Sequence, residues 1–212
     1  MTDIVKQSLK NRAKKVIEAL EKNNMKGYLV DTADEAKELI AGLIKDDKLI
    51  LSGGSMTLKE SGIQDFLNEN YKGIYLDRDL TPLEEIPALM RKAFSADTYF
   101  TSTNAITENG ELYNVDGNGN RVAAMIFGPK QVIVVAGLNK IVTDLDAAVD
   151  RLETMASPAN CIRLNRNTPC AATGRCGHCK SPDRICCDYV VMSQQREKDR
   201  IKVIFIAEDY GY

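Results

Sequence analysis

The run Gln131-Val132-Ile133-Val134-Val135-Ala136 is apolar from its second residue to its last, and Gly137 closes it. It shows no alternation that would turn one face to water. An uninterrupted run of this length is therefore a strand covered on both sides, the condition of an interior strand in a parallel sheet. Upstream, Val5, Leu9, Ala13, Val16, Ile17 and Leu20 recur at three- and four-residue steps, which predicts an amphipathic helix ending near Asn23-Asn24. Gly27 opens a short strand, Tyr28-Leu29-Val30, and Thr32 with Glu35 signals a capped helix whose buried face is Ala36, Leu39, Ile40, Leu43 and Ile44. Residues 48–52 and 73–76 read as strands, residues 82–95 as a proline-initiated helix, and residues 97–102 as a further strand. Asn109-Gly110 interrupts this alternation with a hairpin between residues 105–107 and 111–115. Beyond the central run, Asp144 starts a helix through Ala147, Ala148, Leu152 and Met155, and residues 202–207 form a closing strand. The expectation is a single α/β domain over residues 1–212, with a largely parallel sheet flanked by helices and one antiparallel excursion.

Bulk composition narrows the function classes. Lys and Arg total 28 against 30 Asp and Glu, a net charge of −2, and no segment is basic enough to track a nucleic-acid backbone. Hydrophobic residues make up 44% of the chain, yet no stretch reaches the roughly 20 apolar residues of a membrane span. Residues 1–24 mix charge with apolar positions and lack the apolar centre of a signal peptide. These features predict a cytoplasmic protein with neither nucleic acid nor membrane as partner.

Three polar loops are candidate chemistry. In the first, Ser52-Gly53-Gly54-Ser55-Met56-Thr57 follows a strand; Gly53 and Gly54 can bring backbone amides close to an anion, and Ser55 and Thr57 add hydroxyls. The alternative is a tight turn whose Ser55 caps a helix. The second, residues 101–110, gathers Thr103, Asn104 and Glu108 at a strand's C-terminal end, where α/β sheets bind ligands, and Glu108 is a candidate general acid or base. In the third, residues 114–121, Asn118 and Asn120 are further polar contacts, and Arg121 offers a fork for a carboxylate or phosphate. Lys140 is an additional anion contact. The alternative for the second and third loops is a solvated surface turn.

All six cysteines fall within residues 161–187. That segregation argues for one local site rather than a disulfide framework. Cys176 and Cys179, two residues apart with Gly174 and Gly177 beside them, can meet one metal; Cys170 and Cys186 complete the expected set, with Cys187 or Cys161 as substitutes for the fourth. One short-gap pair with two singletons suits a 4Fe-4S cluster better than structural zinc, which stays as the alternative. His178 lies between the paired cysteines as an alternative ligand or an exposed turn residue. Arg163, Arg166, Arg175, Lys180 and Arg184 surround the thiols and would favour their ionised form.

The segments Ser52-Gly53-Gly54-Ser55-Met56-Thr57, Thr103-Asn104-Ala105-Ile106-Thr107-Glu108, Asp116-Gly117-Asn118-Gly119-Asn120-Arg121-Val122-Ala123-Ala124 and Gly128-Pro129-Lys130 resemble those of lactate-utilisation (LUD, LutC-like) domain proteins over nearly the whole chain. The resemblance implies a fold similar to the ribose-5-phosphate isomerase, glucosamine-6-phosphate deaminase and CoA-transferase group, with the three loops sharing one pocket. It also implies a redox-associated role in organic-acid metabolism, L-lactate to pyruvate, in which an anionic small molecule is bound. Iron–sulfur redox proteins, or further copies of the chain, are the protein partners to look for. A non-redox enzyme on a phosphosugar or CoA-type substrate, with structural zinc, is a second expectation, and a non-catalytic ligand-binding or assembly subunit a third.

Overall fold

The computed structural model describes residues 2–212. Helix α1 (Asp3–Lys22), capped by the Thr2 hydroxyl on the Val5 amide, leads into β1 (Lys26–Val30). Thr32 caps α2 (Ala33–Leu43), and the Glu35 carboxylate reaches back to the Asp31 amide, so the capping signal read from sequence is made almost as expected. There follow β2 (Ile50–Ser52), the short α3 (Met56–Glu60), α4 (Ile63–Asn70), β3 (Tyr75–Leu76), α5 (Ile86–Lys92) and β4 (Thr98–Thr101). After β5 (Ala105–Thr107) and β6 (Leu112–Asp116) come α6 (Asn120–Ile126), β7 (Gln131–Gly137), β8 (Ile141–Val142) and α7 (Leu145–Arg151). The chain closes with α8 (Ser157–Arg163), α9 (Pro169–Thr173), β9 (Asp188–Met192) and β10 (Ile201–Ile206).

Six strands form one all-parallel sheet in the order β1-β10-β7-β4-β2-β3. The 131–136 run is interior, as its composition requires. Its side chains alternate between two separate cores. Val132, Val134 and Ala136 pack with Val203 and Phe205 of β10 and the inner face of α1, whereas Ile133 and Val135 pack with Ile204, Ile206 and the inner faces of α2 and α4. With both faces covered, the C-terminal strand edge is where a sheet of this kind takes a ligand.

The predicted hairpin is present, with Gly110 at φ +76 in its turn, but it is half of a larger structure. β8 adds in parallel to β5 and β9 adds antiparallel to β6, making a mixed four-stranded sheet, β8-β5-β6-β9, with its own small core of Ala105, Tyr113, Val142, Ala148, Leu152 and Ala156. The helix predicted from Asp144 bends into a π turn over Leu152–Ala156 before α8, where Pro158 lacks the amide a regular turn would use. The consequence for function lies in β9. Its pairing with β6 carries the preceding cysteine segment across the open edge of the main sheet.

Candidate functional site

A cavity of about 560 Å³ opens at the C-terminal strand edge. Its floor comes from the loop after β2 (Gly54, Ser55, Thr57), the turn after β3 (Arg78, Asp79), the loop after β4 (Ser102, Thr103, Asn104) and Lys140 after β7. Val115 to Arg121 form one wall, and α8 with the cysteine segment, through Asn160, Arg163, Arg166 and residues 182–185, forms the other. The three loops singled out in the sequence thus meet at one cavity.

Much of that polar sequence is engaged with itself. The Asp116 carboxylate accepts from the amides of Gly117, Asn118, Arg121 and Val122, filling the N-terminus of α6. Arg121, 14% exposed, donates through Nη1 to the Ser102 carbonyl and Asn114 Oδ1 and through Nη2 to Asn104 Oδ1 and the Val115 carbonyl. Its Nε stands 3.8 Å from Asp116. The fork expected for a substrate anion is therefore turned into the protein, where it clasps the loop after β4 to β6. Asn104 also accepts from the Val115 amide, and the buried Thr103 hydroxyl donates to the carbonyls of Ala105 and Tyr113. Asn120 donates to the Met90 sulfur, and Asn118 is exposed at the rim.

The Gly-Gly turn has an equally local explanation. A Cβ on Gly53 would lie 2.7 Å from the Tyr99 hydroxyl, and one on Gly54 would lie 2.8 Å from Arg78 Nη1. The buried Tyr99 accounts for Gly53, whereas the neighbour of Gly54 is the movable end of Arg78. Ser55 accepts from the Leu58 amide as the cap of α3, the alternative raised from sequence, and Thr57 donates to the Tyr210 carbonyl and accepts from Ser102. Glu108 lies elsewhere: it sits on the hairpin, 46% exposed, bound to Arg12 Nε at 2.5 Å, and does not line the cavity. Glu108 thus stands apart from the other predicted site residues, tying the hairpin to α1.

The cavity's charge comes from other residues. Lys59, Arg78, Arg121, Lys140, Arg163, Arg166 and Arg184 line it against Asp79, Asp116 and Asp183. Lys59 pairs with Asp79 at 2.6 Å, and Arg184 holds the carbonyls of Cys179 and Cys186. Among the described residues, Arg78, Arg163 and Arg166 have no Asp or Glu carboxylate within 4.0 Å, and Lys140 Nζ donates to the main-chain oxygen of Tyr212. Sequence reasoning assigned Arg163, Arg166 and Arg184 to the thiols and overlooked Arg78; its position directly after a strand end, in Leu76-Asp77-Arg78, was the available signal.

The cysteines gather on the far side of this wall. Cys161 and Cys170 are buried with their sulfurs 3.6 Å apart, so Cys161, a substitute ligand in the sequence reading, is the neighbour of Cys170. Burial, with the nearby Cys170 and Cys186, pushes the Cys161 thiol up to about 11. Cys176 is raised by burial and by Cys186, Glu153 and Cys170, while the His178 amide donates to its sulfur at 3.4 Å and favours the thiolate. Neighbouring thiols thus act on both Cys161 and Cys176; the Cys179 carbonyl accepts from Arg184, and Cys187 is exposed, its amide on the Asp116 carbonyl. A single tetrahedral ion needs sulfurs about 3.8 Å apart, and among the described residues no three cysteines approach within 4.8 Å. One mixed trio does: Glu153, Cys176 and His178. His178, at φ +47 and 75% exposed, holds its Nε2 3.6 Å from Glu153. Thiolate donors grouped beside a backbone N–H donor suit a multi-iron cluster in chemistry, and the trio suits one zinc ion.

The profile of the LUD domain matches residues 13–206, nearly the whole chain. The chain belongs to the LUD domain family. That family is associated with lactate utilisation, and the expectation raised by the polar loops is met at this level. The crystal structure of a DUF162 family protein from Deinococcus radiodurans superimposes on this LUD domain with a TM-score of 0.52 at 13% identity, over 95% of this chain and 98% of that one. At that identity the likeness concerns the fold: an α/β protein with a mostly parallel six-stranded sheet. No curated protein matches the sequence. No helix among the described residues of this LUD domain is long and apolar enough to cross a membrane.

Proposed function

We propose that this LUD domain binds a small organic anion of the lactate and pyruvate type in the cavity and carries a metal centre on the cysteine segment beside it, as a redox-associated component of organic-acid metabolism. The excess of cationic side chains around 560 Å³ of space carries the reading. Arg78, Arg163 and Arg166 are the groups available to bind a carboxylate, because the fold leaves them without an acidic partner. Cys161, Cys170, Cys176 and Cys186 are the thiols available for the centre, with Cys179 as a substitute, and the Arg184 guanidinium on the carbonyls of Cys179 and Cys186 holds that segment against the cavity. An iron–sulfur cluster, when bound, supplies single-electron transfer, and the electron partners would be other iron–sulfur proteins.

Anaerobic purification tests the metal half. Iron and sulfide in the protein, with absorbance near about 400 nm that dithionite bleaches, are expected for a cluster. Colourless protein with stoichiometric zinc would remove the redox reading. That outcome would favour a second one, supported by the Glu153, Cys176 and His178 trio: a non-redox enzyme on a phosphosugar or CoA-type anion, stapled by zinc. Titration with L-lactate, pyruvate and inorganic phosphate tests the anion half; absence of binding to all three at low ionic strength would sink it.

A further inference from the structure

Each of the two sheets has two edges, and three of the four are guarded. β3 and β8 are two residues long, and β1 opens on Lys26, whose ammonium pairs with Glu21. Short strands and lysines are features that keep a strand edge from pairing with another chain. β9 has neither. It is the run Asp188-Tyr189-Val190-Val191-Met192, without Lys or Pro, at the outer edge of the mixed sheet. On it Tyr189 is 51% exposed and Val191 45%.

The ladder shows which backbone groups of β9 face outward. Across the hairpin the Thr107 amide donates to the Glu111 carbonyl and the Asn104 amide to the Tyr113 carbonyl, so Glu111 and Tyr113 turn their backbone to β5. Alternation in an antiparallel ladder then turns Leu112, Asn114 and Asp116 to β9, and the Asp116 carbonyl does accept from the Cys187 amide. Their partners Met192, Val190 and Asp188 face inward. The N–H and C=O of Tyr189 and Val191 are left on the open side, and among the described residues no turn, loop or cap bond uses them. The two side chains share one face, opposite Val115 and Tyr113.

This edge is complementary to itself. Two copies of β9 placed antiparallel about an axis through Val190 set Tyr189 of each against Val191 of the other. Every outward N–H then meets an outward C=O, and an aromatic side chain meets a β-branched one, a favourable cross-strand pair. A shift of two residues sets one of them instead against Cys187, whose amide is already engaged, or against Ser193 beyond the strand's end. We propose that β9 is a dimerisation edge, on which a second copy of this chain adds its own β9 and joins the two mixed sheets into one. The contact is isologous, as a two-fold axis requires, and is independent of what the cavity binds. It would brace the strand that carries the cysteine segment over the open edge of the main sheet.

Light scattering of the full chain on a sizing column tests this. The parent should run at twice the chain mass at about 0.1 mM, which populates any dimer of Kd well below that value. Tyr189→Lys with Val191→Lys sets lysine against lysine across the axis, and Tyr189→Glu with Val191→Glu sets glutamate against glutamate. Each double variant should be a monomer with unchanged far-ultraviolet circular dichroism, and an equal mixture of the two should recover the dimer mass. Amide exchange in the unaltered chain reads the same contact without substitution: Tyr189 and Val191 should exchange at least about tenfold more slowly at high concentration than after dilution to monomer. A monomeric parent, a dimer that survives either variant, or a dimer whose Tyr189 and Val191 amides stay unprotected would overturn the proposal.

Discussion

At the scale of single residues, the polar positions that stand out in the sequence divide into those that hold the protein together and those that face the cavity. Asp116 and Arg121 belong to the first group, because the carboxylate and both terminal nitrogens of the guanidinium are engaged within the chain. Removing a buried guanidinium strands the carbonyls it satisfied, so Arg121→Met should lower the unfolding free energy by about 3 kcal/mol in urea titration. If stability is unchanged and only anion binding is lost, the guanidinium serves the ligand instead. Lys140 makes a different prediction. Its folded value near 7 lies below the ordinary 10.5, so between these values the unfolded chain binds more protons than the folded one. Stability should therefore rise with pH across that window and level off below about 7, where both states hold the proton. Lys140→Met, read by denaturant titration at several pH values, should flatten that slope; an unaltered slope would place the ionisation elsewhere.

At the scale of elements, two connections set the position of the site. The hairpin turn docks on α1, where Asn23 donates to the carbonyls of Asn109 and Gly110. A Cβ on Gly110 would sit 2.7 Å from the Leu20 amide nitrogen, and its φ of +76 already disfavours a side chain. Gly110→Ala should thus destabilise by about 2 kcal/mol or more, seen as a lower melting temperature. The second connection is the cysteine segment, which β9 and the Arg184 contacts hold over the strand edge. If metal binding fastens it, Cys176→Ser should reduce metal content and melting temperature together. Equal values in variant and parent would take Cys176 out of the ligand set.

At the scale of the whole molecule, a chain of net charge −2 brings seven cationic side chains to one cavity against three acidic ones. Composition reports the balance, and only folding separates the signs. Arg163→Gln combined with Arg166→Gln should weaken binding of a small anion by about tenfold or more while moving the melting temperature little, since both side chains are exposed. Calorimetric titration checks it, and undiminished affinity would relocate the anion. The architecture was legible because it rests on local periodicity. The 131–136 run, the Thr32 cap and the Asn-Gly turn each state their structure within a few residues, and all three are found.

The sequence by itself determined the alternating elements, the two-faced burial of the central strand, the family and the confinement of all thiols to one segment. Tertiary structure alone decided which polar groups remain available. Whether Arg121 is a fork or a clasp depends on acceptors 6 to 19 residues away, and whether Glu108 is a base or a tie depends on Arg12, 96 positions distant. A residue type specifies the hydrogen bonds a side chain can make. The partners that satisfy them are set by which segments the sheet order brings together, and no local pattern encodes that order.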